Sequence, residues 1–187
     1  MPNRGQITLS DDHVACVASA EGPLFDPRWR MLEDADLDLL ADHLTQGRQR
    51  PIPIFAYGSL IWNPGFAVQS HRRATAIGWH RRFSIPLDHF RGSPDRPGLM
   101  LALGSGGSCD GLVLEIAEGT EAQSLRDVLR RELVAHELSD NARWIDIETD
   151  RGRETALTFY ANPVGTSVIE LTVEEQARRL ARAAGAA

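Results

Sequence analysis

The chain has 187 residues, 42% hydrophobic and 25% charged, with a formal net charge of −6. That profile fits one soluble globular unit with a sizeable core, and the acidic balance argues against a nucleic-acid partner. No apolar run approaches the roughly 20 residues a membrane helix needs, and the polar start holds no signal-peptide core.

Cys16 and Cys109 form neither a disulfide framework nor a metal-binding cluster, so a reduced, cytoplasmic protein is expected, with a monomer slightly favoured. Residues 1–50 read as an N-terminal arm and a helix, and 51–187 as a single globular unit. Residues 8–14 suggest a cap and a short helical turn. Gly22-Pro23 and Asp26-Pro27 are turn signals. Over 32–45, Leu37, Leu39, Leu40 and Leu44 give an imperfect apolar stripe, with Gly47 as a stop.

Ile54, Phe55, Ala56 and Tyr57 predict a buried strand. Gly58-Ser59 breaks it, and Asn63-Pro64-Gly65 closes the segment as a turn. Amides exposed at a strand end can hold a carboxylate or an oxyanion, although the residues alone equally describe an ordinary strand and loop. Ser59 lacks the Gly-x-Ser-x-Gly elbow of a hydrolase nucleophile.

Residues 75–87 predict a strand with Ile77, Trp79, Phe83 and Ile85 as core candidates. Basic residues beside them, His80, Arg81 and Arg82 among them, suggest a solvated face that attracts an anionic substrate rather than RNA. Residues 88–98 read as a loop. Short strands follow at 99–103 and 109–117, joined by a hairpin-like Gly104-Ser105-Gly106-Gly107-Ser108. That glycine run has no Gly-Lys-Ser/Thr and no following helix, so it is not a phosphate loop.

A second helix is expected from 121 to about 136, with Leu125, Val128, Leu129 and Leu133 on one face. Glu132 sits near the middle of that face, whereas Asp127, Arg130 and Arg131 lie away from it, as solvated residues should. His136 falls one turn further along the same face. Burial of a carboxylate is costly and raises its pKa towards neutrality, where it can take and give a proton. A structural ion pair with arginine explains the same pattern. Strands at 143–149 and 155–161 read as a hairpin, with Ile145 and Ile147 on one face. Thr172-Val173-Glu174-Glu175 is a capping box opening a last helix with Ala177, Leu180, Ala181 and Ala184.

The string Phe55-Ala56-Tyr57-Gly58-Ser59-Leu60-Ile61-Trp62 resembles the signature of the ChaC family, the glutathione-specific γ-glutamylcyclotransferases. Further matches follow in order at Gly78-Trp79-His80-Arg81-Arg82-Phe83, Arg91-Gly92-Ser93-Pro94, Gly107-Ser108-Cys109-Asp110-Gly111, Arg131-Glu132-Leu133 and Arg143-Trp144. The resemblance implies an α+β fold, a small, mostly antiparallel β-barrel with flanking helices, and makes 51–187 the catalytic domain. It implies cleavage of glutathione to 5-oxoproline and cysteinylglycine without metal or organic cofactor. It places the catalytic glutamate on Glu132 and substrate binding on Phe55, Ala56, Tyr57, Gly58, Ser59 and Leu60. The segment 134–142 lacks the tyrosine that members carry there, so another γ-glutamyl amide or dipeptide is the alternative substrate. A non-catalytic γ-glutamyl-binding module is the reading from another class.

Overall fold

The computed structural model describes residues 29–88, 91–164 and 166–183. The turn expected at 8–14 and Cys16 lie outside the described residues. Among the described residues, three α-helices and five strands occur in the order α1 (Asp34–Thr45), β1 (Pro53–Ala56), β2 (Val68–Leu87), β3 (Gly98–Ile116), α2 (Glu121–Glu132), β4 (Ala142–Thr149), β5 (Gly152–Phe159) and α3 (Val173–Arg182). The strands close into a barrel in the order β1-β3-β2-β4-β5. Every neighbouring pair is antiparallel except β1–β5, a parallel contact through Ile54 and Leu157.

Alternation along the strands makes two cores. Phe55, Ala74, Ala76, Leu103, Cys109, Val113, Ile145, Ile147 and Ala156 come from all five strands and fill the barrel. Ile54, Ala56, Leu114, Ile116, Leu157 and Phe159 face outward against Leu37 and Ala41 of α1 and Leu125, Val128, Leu129 and Leu133 around α2. Arg126 holds the two helices together, donating to Asp38 through Nε at 2.8 Å and Nη2 at 2.9 Å. One end of the barrel is closed by ions: Arg72 bonds to both Glu115 and Glu154, and its own side chain is only 12% exposed.

The expected hairpin at Gly104–Ser108 is instead a bulge inside one long strand. Residues 98–103 and 108–116 pair with β2 rather than with each other, and the register shifts between Ile77 and Trp79. Gly106 and Gly107, at φ of 100° and 75°, lie opposite Gly78 at 83°, conformations that glycine alone adopts freely. The bulge bends the β2–β3 ribbon and turns Trp79 towards the barrel core, where it packs beside Tyr57 and Tyr160. None of Ile77, Trp79, Phe83 and Ile85 is fully buried; Ala74, Ala76 and Ser84 are the buried positions of β2.

The second helix stops at Glu132, short of His136, because Leu133 turns extended. Residues 133–136 then run beside the 30–32 segment: Leu32 donates to the Val134 carbonyl and His136 to the Arg30 carbonyl. His136 belongs to a separate 3-10 turn, His136–Asn141, and its Nε2 meets Asp36 Oδ2 at 3.1 Å. The capping box of α3 forms as expected, with the Thr172 hydroxyl accepting from the Glu175 amide, but no residue of α3 is buried.

Candidate active site

Chain direction gathers one group of residues at the barrel end opposite Arg72. β1 leaves the barrel there through Tyr57, and β5, running parallel, leaves through Tyr160. Antiparallel β4 enters there at Arg143, and the β2–β3 bulge adds Trp79, Arg81, Leu103 and Cys109. Trp79 and Tyr160 meet edge to face at 5.4 Å.

Beyond Tyr57 the chain makes a short 3-10 turn, Ser59–Ile61, anchored by Leu60 at 6% exposure. The first amides of such a turn have no intrahelical acceptor. Those of Gly58, Ser59 and Leu60 find no acceptor among the described residues, whereas Ile61 and Trp62 donate to the Gly58 and Ser59 carbonyls. A Cβ built on Gly58 would meet nothing nearer than Leu101 Cδ2 at 3.8 Å, so the space beside these amides is open. Phe55 and Ala56 are fully buried, one inside the barrel and one outside it. Their side chains, with Leu60, hold the loop in place. Tyr57, Gly58 and Ser59 are the members of the expected binding string that remain at the mouth.

Glu132, the last residue of α2, reaches this loop from the barrel exterior, with 24% of its side chain exposed. Desolvation pushes its carboxyl above the ordinary carboxylate range, and the Arg131 charge only partly offsets that. The helix C-terminus adds partial charge of the same sign. The Tyr57 phenol is also pushed up, first by burial and then by the Glu132 charge, although a backbone hydrogen bond at Leu103 opposes the shift. Tyr57 therefore stays a hydrogen-bond donor across the neutral range, within the field of Glu132.

Arg131 is exposed, as the helix pattern suggests, but it is not without partners. Its Nη1 donates to the Asn63 carbonyl, its Nη2 to Ser59 Oγ at 3.0 Å, and its Nε lies 3.4 Å from Glu132 Oε1. One guanidinium thus ties both ends of the loop to the helix that carries the carboxylate. Arg81 supports the other side, donating to the Tyr57 carbonyl at 3.0 Å. Arg143, Trp79 and Tyr160 are the mouth residues that sequence reasoning did not assign to the site, whereas Arg81 belongs to the basic face expected to attract an anionic substrate. The period-two signal for Arg143 was present, since it shares the face of Ile145 and Ile147.

No group of three or more metal-ligating side chains occurs among the described residues. Two open hollows lie elsewhere, one of about 400 Å³ around Arg72 and Trp144 and one of about 430 Å³ between α3 and residues 95–97. In the first, both carboxylates are engaged by Arg72, which leaves no free acid or base there. The raised carboxyl of Glu132 lies next to a loop whose first amides find no acceptor among the described residues.

Residues 52–187 match the family model described as ChaC-like protein. The chain belongs to the ChaC-like family. Over 114 residues it is 36% identical to the Escherichia coli (strain K12) protein named glutathione-specific gamma-glutamylcyclotransferase, covering 60% of this chain and 48% of that one. Over 99 residues it is 31% identical to gamma-glutamylcyclotransferase 2-3 of Arabidopsis thaliana, covering 52% of this chain and 48% of that one. The chain thus spans about half the length of these two curated relatives. A crystal structure of the yeast gamma-glutamyl cyclotransferase specific to glutathione superposes with a TM-score of 0.56 at 20% identity, covering 72% of this chain and 81% of that one. At that identity the match supports the fold: this ChaC-like chain has the γ-glutamylcyclotransferase-like barrel.

Proposed function

We propose that this ChaC-like protein is a γ-glutamylcyclotransferase that cleaves glutathione to 5-oxoproline and cysteinylglycine, with Glu132 as general acid and base. The observation that carries the reading is a carboxyl raised by desolvation, tied through Arg131 to a loop with three amides that find no acceptor among the described residues. The names of the relatives supply the substrate class.

The reaction needs no nucleophile from the protein. The α-amine of the γ-glutamyl group attacks its own γ-carbonyl carbon, forming the lactam C–N bond, and the γ-amide C–N bond breaks. Holding the substrate bent makes this attack intramolecular and efficient. Glu132 takes a proton from the attacking amine and delivers it to the departing cysteinyl nitrogen, so the proton balance closes without water. The amides of Gly58, Ser59 and Leu60 hold the γ-glutamyl portion and stabilise the tetrahedral oxyanion. Tyr57, kept protonated, donates a further hydrogen bond. Residues 51–187 supply every group this scheme uses, and a single chain suffices. The buried free thiol of Cys109 suits a reducing, cytoplasmic setting. No described helix is long and apolar enough to cross a membrane.

Purified protein incubated with glutathione should release 5-oxoproline and cysteinylglycine, measured by mass spectrometry. Glu132→Gln should lower kcat by about 100-fold or more. Undiminished turnover in that variant would remove Glu132 from the mechanism. Product from other γ-glutamyl amides alone would move the substrate, and the segment 134–142 is where that choice would originate. No product from any γ-glutamyl compound would leave a binding module.

A further inference from the structure

We infer that Arg143, on a platform of Trp79 and Tyr160, is the subsite for the terminal carboxylate of the leaving dipeptide. The inference rests on the γ-glutamyl reading above and adds the group that would recognise the far end of the substrate.

Arg143 opens β4 at the same barrel end as Tyr57. It lies on the inward-facing side of β4, in line with the buried Ile145 and Ile147, but at the rim, where it is exposed. Its guanidinium carbon lies 5.4 Å from the Trp79 ring centre and 5.2 Å from that of Tyr160. The two rings brace each other edge to face. Aromatic faces hold a guanidinium in place while leaving its N–H edge free for a bidentate partner.

The other cations at this end are already engaged. Arg81 donates to the Tyr57 carbonyl, and Arg131 to Ser59 and Asn63. The Arg143 guanidinium has no carboxylate or carbonyl acceptor among the described residues, in a protein of net charge −6 with many carboxylates to offer. A cation held by two rings and left without an anion fits an anionic ligand.

The spacing agrees. Around the barrel, β4 is separated from β1 by β5 alone. Two inter-strand steps of about 4.8 Å put β4 about 10 Å from the Gly58–Ser59 loop. From the γ-carbonyl of glutathione to its glycyl carboxylate are two residues, about 7 Å when extended. The arginine side chain spans the remainder. With the γ-glutamyl group on the loop amides, the glycyl carboxylate falls within reach of Arg143.

The test compares wild type, Arg143→Lys and Arg143→Met on glutathione and on its glycyl monoethyl ester, in which the terminal carboxylate is masked. Arg143→Met should raise KM for glutathione about tenfold or more, with kcat little changed, because a charge-assisted hydrogen bond is lost. The ester should already bind weakly to wild type and lose nothing further in Arg143→Met. Arg143→Lys, which keeps the charge but not the fork, should fall between them on glutathione. Equal losses on glutathione and ester would overturn the subsite and leave Arg143 a structural partner of the two rings. If wild type turns over neither compound, the cyclotransferase reading fails separately. Calorimetric titration of glutathione and ester into wild type and Arg143→Met then decides the subsite: a preference for glutathione that disappears in the variant supports it, and its persistence or absence throughout refutes it.

Discussion

Desolvation holds the Glu132 carboxyl above the ordinary carboxylate range, with Arg131 pulling the other way. In the proposed mechanism the deprotonated form accepts the amine proton, so the acidic limb of kcat/KM should fall through a pKa above the roughly 4.3 of a free glutamate. The same shift has a sign for stability. A carboxyl raised in the folded state favours folding most below its unfolded pKa, and that contribution is lost as pH rises through the folded pKa. Glutamine is permanently uncharged and nearly isosteric. Glu132→Gln should therefore unfold at a higher temperature than wild type near neutral pH, the gap closing on acidification towards about pH 4. Thermal unfolding at the two pH values checks this; an unchanged or lowered midpoint at neutral pH would contradict the desolvation argument. Periodicity located Glu132 because a carboxylate interrupting an apolar stripe is visible in one dimension. Arg131 escaped the same reasoning, since its partners Ser59 and Asn63 belong to a loop about 70 residues away along the chain.

Within the elements, the short β1 carries the loop, and the loop is only as well placed as the packing beneath β1. Gly111 of β3 is the tight point. A Cβ there would lie 2.4 Å from the Ala56 carbonyl oxygen and 2.8 Å from Phe55 Cζ, and a backbone oxygen cannot swing aside. Gly111→Ala should destabilise the fold by about 1–3 kcal/mol, the range for overpacking a filled interior. It should also reduce kcat, because relief of the clash displaces the residues leading into Tyr57. Denaturant unfolding with a turnover assay checks both; normal stability would mean that β1 and β3 are less tightly apposed than their geometry shows. The elements themselves were largely legible: α1, β1, the β4–β5 hairpin and the α3 cap follow from stripe, alternation and capping box. The glycines of β3 misled because a wide bulge and a hairpin turn draw on the same residues, and only the common partner strand β2 tells them apart. The first part of β2 was missed because Gln69, Ser70, His71, Arg72 and Arg73 look solvated, whereas Arg72 points inward to a carboxylate pair.

That pair sets the pH response of the whole barrel. Glu115 is held below the usual carboxylate range by the Ser70 hydroxyl, against desolvation, with Arg72 assisting. Burial pushes Glu154 up, but the Thr149 hydroxyl and Arg72 outweigh it and leave it lowered. Carboxyls lowered in the folded state stabilise it above their unfolded pKa, and that stabilisation is lost as pH falls through the folded values. Arg72→Gln should cost about 3 kcal/mol at neutral pH by removing the cation both carboxylates share, leaving them the Ser70 and Thr149 hydroxyls and the more distant Arg151. The deficit should shrink below about pH 4 as they protonate. Urea unfolding across that range measures it, and a deficit constant with pH would rule out the ionic origin. The plug has a further consequence for traffic. Side chains fill the barrel and Arg72 lies at the far end, so the described residues leave no through route. On the proposed reading, glutathione enters and both fragments leave at the end that carries Tyr57. The filled barrel then serves as a floor for the reaction, and a substitution that hollows it out would not open a second exit so much as loosen that floor.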